Sequence, residues 1–205
     1  MKTSPTSDCV TLFSFQPVTV VKRLVSDPAF VYTCDTSLSF HLNNMGDDIF
    51  LAPYQWMTQQ MHTRLAPPQH HAHTTEYPLW AWHTVDGVVG KKPDLRTQMF
   101  NGIFDDTALL TLCVDSRRVL LSDFQLWHHV LNNVIIYDEE TESRLLDNEN
   151  WLELYDNVTD EDRRASWSQI FDVSTAAWVQ ATLWHITGED IVDVQWVHRQ
   201  RKGTV

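Results

Sequence analysis

Between Arg118 and Asn133 the chain passes from the alternation of a strand to the repeat of a helix within one unbroken stretch. Val119 to Leu121 reads as a short buried strand. Phe124, Trp127, Val130 and Leu131 then fall on one helical face. Ser122 stands at the junction as the expected N-cap, and Gln125, three residues on, has the reach to close a capping box. Strand and helix must therefore pack together in one layered unit. A polar junction of this kind also gathers free backbone N–H groups, which makes it a natural place for a ligand.

The rest of the chain repeats both patterns. Strands are expected over Val10 to Gln16, Ala29 to Thr33, Tyr77 to Val85 and Thr107 to Val114. Pro17 suits the start of a helix from Val18 to Val25 with Val20, Val21 and Leu24 inward, ended by Asp27-Pro28. After the turn cluster at Asn43 to Asp48, the spacing of Phe50, Tyr54, Met57, Met61 and Leu65 predicts a second helix that stops before Pro67-Pro68. Asp86-Gly87 predicts a tight hairpin. Acidic residues 138–159 read as a helix with a solvated face, and Thr159 to Asp162 as the start of another that buries Trp167 and Ile170. Near the end, Trp178, Gln180, Thr182, Trp184 and Ile186 share one face of a strand, and Ile191 to Val197 forms the last one. The expectation is an α+β fold: a single compact domain over residues 10–198, with a mostly antiparallel sheet and packed helices. Residues 1–9 are expected to fray, and 199–205 to form a basic tail.

Charge narrows the function classes. With 15 basic and 27 acidic side chains the net charge is −12, which argues against gripping a nucleic-acid backbone or an anionic membrane surface. No run resembles a signal peptide or approaches a membrane span, so a cytoplasmic protein is expected. Cys9, Cys34 and Cys113 are widely spaced, giving little support to a disulfide framework, and Cys113 reads as a buried thiol. His70, His71 and His73 form a histidine-rich loop; with few nearby carboxylates it reads as an exposed polar segment in preference to a metal site.

Several residues could carry chemistry. Trp80 and Trp82 share a strand face and serve either as core or as a stacking platform. Asp94 and Arg96, beside a proline-fixed backbone, either clamp a polar ligand or pair with each other. Asp123 lies at the strand–helix junction, and Gln180 and Trp184 lie on the late strand. If these meet, Trp80, Trp82 and Trp184 would stack on a planar molecule while Asp94, Arg96, Asp123 and Gln180 supply polar contacts. As catalytic groups, Arg96 would hold phosphate and Asp123 a ribose hydroxyl, or act as general base.

Tyr77-Pro-Leu-Trp-Ala-Trp82, Lys92-Pro-Asp-Leu-Arg96, Leu120-Leu-Ser-Asp-Phe124 with Trp127, Ser166-Trp167 with Ile170-Phe171-Asp172, and Gln180-Ala-Thr-Leu-Trp184 resemble the blocks of a bacterial family, domain of unknown function 3841. The resemblance runs from about Leu12 to Val197 and implies no particular activity. Gln125 replaces the acid expected in the Leu-Leu-Ser-Asp-Phe-Asp form of its block. The order of elements also resembles ADP-ribosyltransferase-like folds. That likeness implies a carboxylate on a late strand, where this chain has the neutral Gln180, able to bond a ribose but not to stabilise a developing cation.

Two readings follow. One is a protein that binds a nucleotide-like small ligand, with group transfer from a nucleotide as the reaction class if it is an enzyme; no cofactor is indicated. The other is a non-catalytic acidic module that binds a protein partner, favoured by the charge and by the lack of a nucleotide-loop, zinc-protease or nucleophile-elbow motif.

Overall fold

The computed structural model describes residues 9–33, 51–66, 77–97, 99–100, 106–138, 141, 143 and 158–197. In chain order the elements are β1 (Cys9–Pro17), α1 (Val18–Ser26), β2 (Val31–Thr33), α2 (Leu51–Arg64), β3 (Leu79–Val85), β4 (Val88–Val89) and β5 (Thr107–Asp115). There follow β6 (Leu120–Asp123), α3 (Phe124–Leu131), α4 (Asp160–Ser166), β7 (Val179–Leu183), β8 (His185–Thr187) and β9 (Ile191–Trp196). A seven-stranded sheet runs β6-β7-β3-β1-β5-β9, with β4 folded back on β3, and β2 pairs β8 in a separate two-stranded sheet. Every described pairing is antiparallel, so the α+β class with an antiparallel sheet holds.

Alternation along the strands gives the sheet two apolar faces, each of which has to be covered. On one, Leu12, Leu110, Leu112, Ala181 and Leu183 pack beneath Val21 and Leu24 of α1, Tyr32 of β2 and Ile186 of β8. On the other, Trp80 and Leu120 lie under α2 and α3 through Tyr54, Met57, Trp127 and Val130, with Trp167 and Ile170 closing the side. The indole N–H of Trp167 donates to Val134 O at 2.8 Å, and Ser166 Oγ accepts from Ile136 N at 2.9 Å. Val134 and Ile136 are thereby pinned to the end of α4.

The Asp86-Gly87 hairpin forms as expected. Both residues take positive φ, 51° and 74°, as the turn that matches strand twist requires, and Val85 pairs Val88. Thr159 caps α4, its Oγ1 accepting from Asp162 N at 3.1 Å.

Three expectations are corrected. The strand entering α3 continues one residue further, so Asp123, not Ser122, caps the helix, and Ser122 turns into the sheet. The strand expected to run from Trp178 to Ile186 breaks at Trp184: β7 stays in the large sheet while β8 crosses to pair β2. Period two continues through the break and so conceals it; what separates the halves is that Ile186 is needed under α1 while Trp184 packs with Met61 of α2 and with Leu65 just beyond it. Finally, Cys9 and Cys113 form a disulfide, because β1 and β5 run side by side and bring their Cα atoms to 5.5 Å. The Asn43–Asp48 turn cluster, the histidines at 70, 71 and 73, and most of the helix expected over 138–159 lie outside the described residues. Among the described residues no helix is long and apolar enough to cross a membrane.

Candidate functional site

On the face beneath α2 and α3, three adjacent strands set polar side chains among indoles. Gln180 of β7 lies opposite Trp82 of β3 on one side and Ser122 of β6 on the other. In the next row Thr182 lies between Trp80 and Leu120. Directly opposed side chains on one face stand roughly 5 Å apart at Cβ, so the two rows make one continuous floor. Over one end, the rings of Tyr54, Trp80 and Trp127 form a triangle with centroids 5.1–5.9 Å apart. At the other, Trp82 meets Phe100, Phe124 and Trp178 edge-on at 4.8–5.7 Å.

The polar atoms of this floor are poorly served. Ser122 is fully buried and Gln180 is 6% exposed, yet Ser122 Oγ, Gln180 Nε2 and Trp80 Nε1 are buried without a hydrogen-bond partner among the described residues. Each buried group of this kind costs about 1–3 kcal/mol when unsatisfied, and native proteins hold few of them. Two N–H donors and a hydroxyl on neighbouring strands thus sit among apolar and aromatic side chains, where an acceptor would be held strongly.

Asp123 borders the same floor at the end of β6. Its Oδ1 accepts from Gln125 N at 2.7 Å and Leu126 N at 3.1 Å, which satisfies the first turn of α3. Among the described residues nothing bonds its Oδ2. Trp80, Trp82 and Gln180 are therefore brought together, while Asp123, one position on from Ser122 and paired with Val179, caps α3 at the end of the strand. Trp184 stands apart, against Met61, Leu65 and the ring of His62 at 4.6 Å.

Asp94 and Arg96 bond each other, Nε to Oδ1 at 2.9 Å and Nη2 to Oδ2 at 2.7 Å, in an exposed loop. Hydrogen bonds from the Arg96 side chain and backbone hold the Asp94 carboxyl down at about 2. The loop is tied to the floor's side of the molecule through Phe100, whose ring meets Trp82. His83 is half-buried beside a register shift between Trp82 and Thr84. Burial lowers its pKa from the ordinary histidine value, and Nδ1 lies 2.9 Å from Thr84 Oγ1.

Sequence reasoning missed Ser122 as a member of the floor. The available signal was its alternation with Leu120, overridden by its suitability as a cap. It missed Asp190 altogether. This carboxylate, 5% exposed, takes a two-pronged grip from Arg118, Nη1 to Oδ1 at 2.7 Å and Nη2 to Oδ2 at 3.1 Å. It also accepts from Thr187 N and Oγ1 at 2.8 and 3.0 Å. Partners 72 residues apart leave no local trace in the sequence. With both oxygens occupied, the group is a structural tie. Among the described residues no cluster of three or more His, Cys, Asp or Glu stands together as a metal site.

No curated protein and no solved structure matches this chain. A protein-family model described as Domain of unknown function (DUF3841) matches residues 11–192, a span that runs from β1 into β9 and holds the whole aromatic floor. The chain belongs to the DUF3841 family.

Proposed function

We propose that the protein binds a planar, nucleotide-like small molecule on the sheet face formed by β3, β7 and β6. The observation that supports this reading is the buried trio of Trp80 Nε1, Gln180 Nε2 and Ser122 Oγ, all without hydrogen-bond partners among the described residues and all on the sheet face that carries Trp80 and Trp82. A heteroaromatic base presents acceptors at its edge and a flat face for stacking, the two features such a floor would recognise. Asp123 Oδ2 would accept a ribose hydroxyl. Arg96 would reach a phosphate by exchanging its bond to Asp94 for a stronger, doubly charged acceptor. Group transfer from the nucleotide is the reaction class this arrangement would serve, with Asp123 as general base and the neutral Gln180 confined to hydrogen bonding.

Calorimetric titration of the wild type, Gln180→Leu and Ser122→Ala with NAD and ATP tests the reading. Binding heat is expected for the wild type and its loss for both variants. The unliganded variants should keep or gain stability, by up to about 1–3 kcal/mol, because each loses an unsatisfied polar atom. A wild type that gives no heat with either nucleotide, or a Gln180→Leu variant that binds undiminished, would sink the proposal. The net charge of −12 favours a second reading, an acidic module that binds a basic protein partner. Recovery of such a partner in a pull-down should then fall steeply with added salt.

A further inference from the structure

A groove of about 480 Å³ runs along α1 and β2, elements that cover the sheet face opposite the aromatic floor. Thr19, Val20 and Arg23 of α1 line one wall, and Phe30 and Thr33 the other. The Arg23 guanidinium lies 4.1 Å from the centre of the Phe30 ring. Stacking of this kind uses the flat face of the guanidinium and leaves its in-plane N–H donors free to grip a planar anion.

Those donors have no carboxylate to bond among the described residues. Arg96, Arg117, Arg118 and Arg163 are each paired with an aspartate, as a chain with 27 acidic side chains readily allows. Asp27, the acid nearest to Arg23 in sequence, turns back to accept from Ala29 N at 3.0 Å. The hydroxyls of Thr19 and Thr33 likewise make no hydrogen bond among the described residues.

We infer that this groove binds a small molecule bearing a carboxylate or a phosphate on a flat apolar ring. The anion takes the free edge of Arg23 and the two threonine hydroxyls, while the ring lies against Val20 and Phe30. The volume suits a ligand of that size, since small-molecule sites span roughly 300–1,000 Å³. This site is separate from the aromatic floor and stands or falls independently of it.

The test is amide NMR of the full chain titrated with benzoate, phenyl phosphate and the uncharged benzyl alcohol, repeated on Arg23→Gln. Arg23 is exposed, so the exchange leaves Val21 and Leu24 in the core, and the spectrum itself reports whether the variant is folded. Saturable shifts at Thr19, Val20 and Val31 to Thr33 are expected with at least one anion. Affinity should be weaker by at least about tenfold in Arg23→Gln, the loss expected for a charge-assisted pair. A stronger response to phenyl phosphate assigns a phosphate ligand, and a stronger one to benzoate a carboxylate. No shift with either anion, equal shifts with benzyl alcohol, or undiminished binding by Arg23→Gln overturns the inference.

Discussion

Replacing Asp190 by Asn swaps one acceptor oxygen for an NH₂ group that faces the Arg118 guanidinium, setting donor against donor. In the native protein that carboxylate is 5% exposed and accepts four hydrogen bonds, two from Arg118 and two from Thr187. Arg118 Nη2 also donates to His185 O at 3.1 Å, so the pair ties the turn before β6 to β8 and to the turn before β9. Removing one partner of a buried pair costs about 3–5 kcal/mol, because the other charge keeps its desolvation and loses its compensation. For a domain of this size each kcal/mol moves the thermal midpoint by about 2–4 °C, so Asp190→Asn should melt roughly 6–20 °C below the wild type. Urea titration should show a lower midpoint with an unchanged slope. The double variant Arg118→Met/Asp190→Leu, which removes both charges, should lie closer to the wild type than Asp190→Asn does, giving a large coupling energy in a double-mutant cycle. A loss below about 1 kcal/mol for Asp190→Asn would place the pair among solvated surface bridges and refute the reasoning. The quantity at stake is whether Arg118, with 31% of its side chain exposed, brings in enough water to spare the carboxylate.

Other outcomes follow from single observations. Gly188→Ala should lower stability by about 1–3 kcal/mol in chemical denaturation, because its Cβ would stand 2.6 Å from the Leu24 carbonyl oxygen, a backbone atom of α1 that cannot step aside alone; an unchanged midpoint would mean that α1 shifts freely. The Asp94 carboxyl should titrate at about 2 by carbon-detected NMR, since its bonds to Arg96 favour the charged form. A folded-state value below the unfolded one means the local turn is fully supported above the ordinary carboxylate range and loosens as pH falls through about 2, and a midpoint near 3.8 would contradict this. Of the three cysteines two are joined, so one thiol (3 − 2) should react under non-reducing denaturation and three after reduction. Reduction should also lower the melting midpoint: closing a loop of about 100 residues is worth at most roughly 4.7 kcal/mol on the chain-entropy account, and an unchanged midpoint would show that β1 and β5 hold their register without the bond.

What could be read in the chain without coordinates was whatever neighbouring residues dictate. Asp86-Gly87 can make one kind of turn well, and it did; Thr159 through Asp162 carries its own cap. The alternation of Trp80 with Trp82 and the helical spacing of Met57 with Met61 reported faces to be buried, and those faces are buried or half-buried. The family blocks were legible for the same reason, being short runs with fixed spacing. In the candidate site, Trp80, Trp82 and Gln180 were legible as members of strand faces, because period two assigns a face without needing to know the partner.

Which strand lies beside which was decided only by the tertiary structure. That decision placed Ser122 next to Gln180, joined Cys9 to Cys113, drew Asp190 onto Arg118 and left Arg23 stacked on Phe30 with no carboxylate among the described residues. It also moved the helix cap from Ser122 to Asp123, since one further residue of pairing with β7 outweighs a local preference between two good caps. Local rules act over a single turn or a pleat and so determine faces and ends. Partners brought together from 58 to 104 residues away are selected by the burial of whole faces, a free energy that no short stretch of the chain carries by itself.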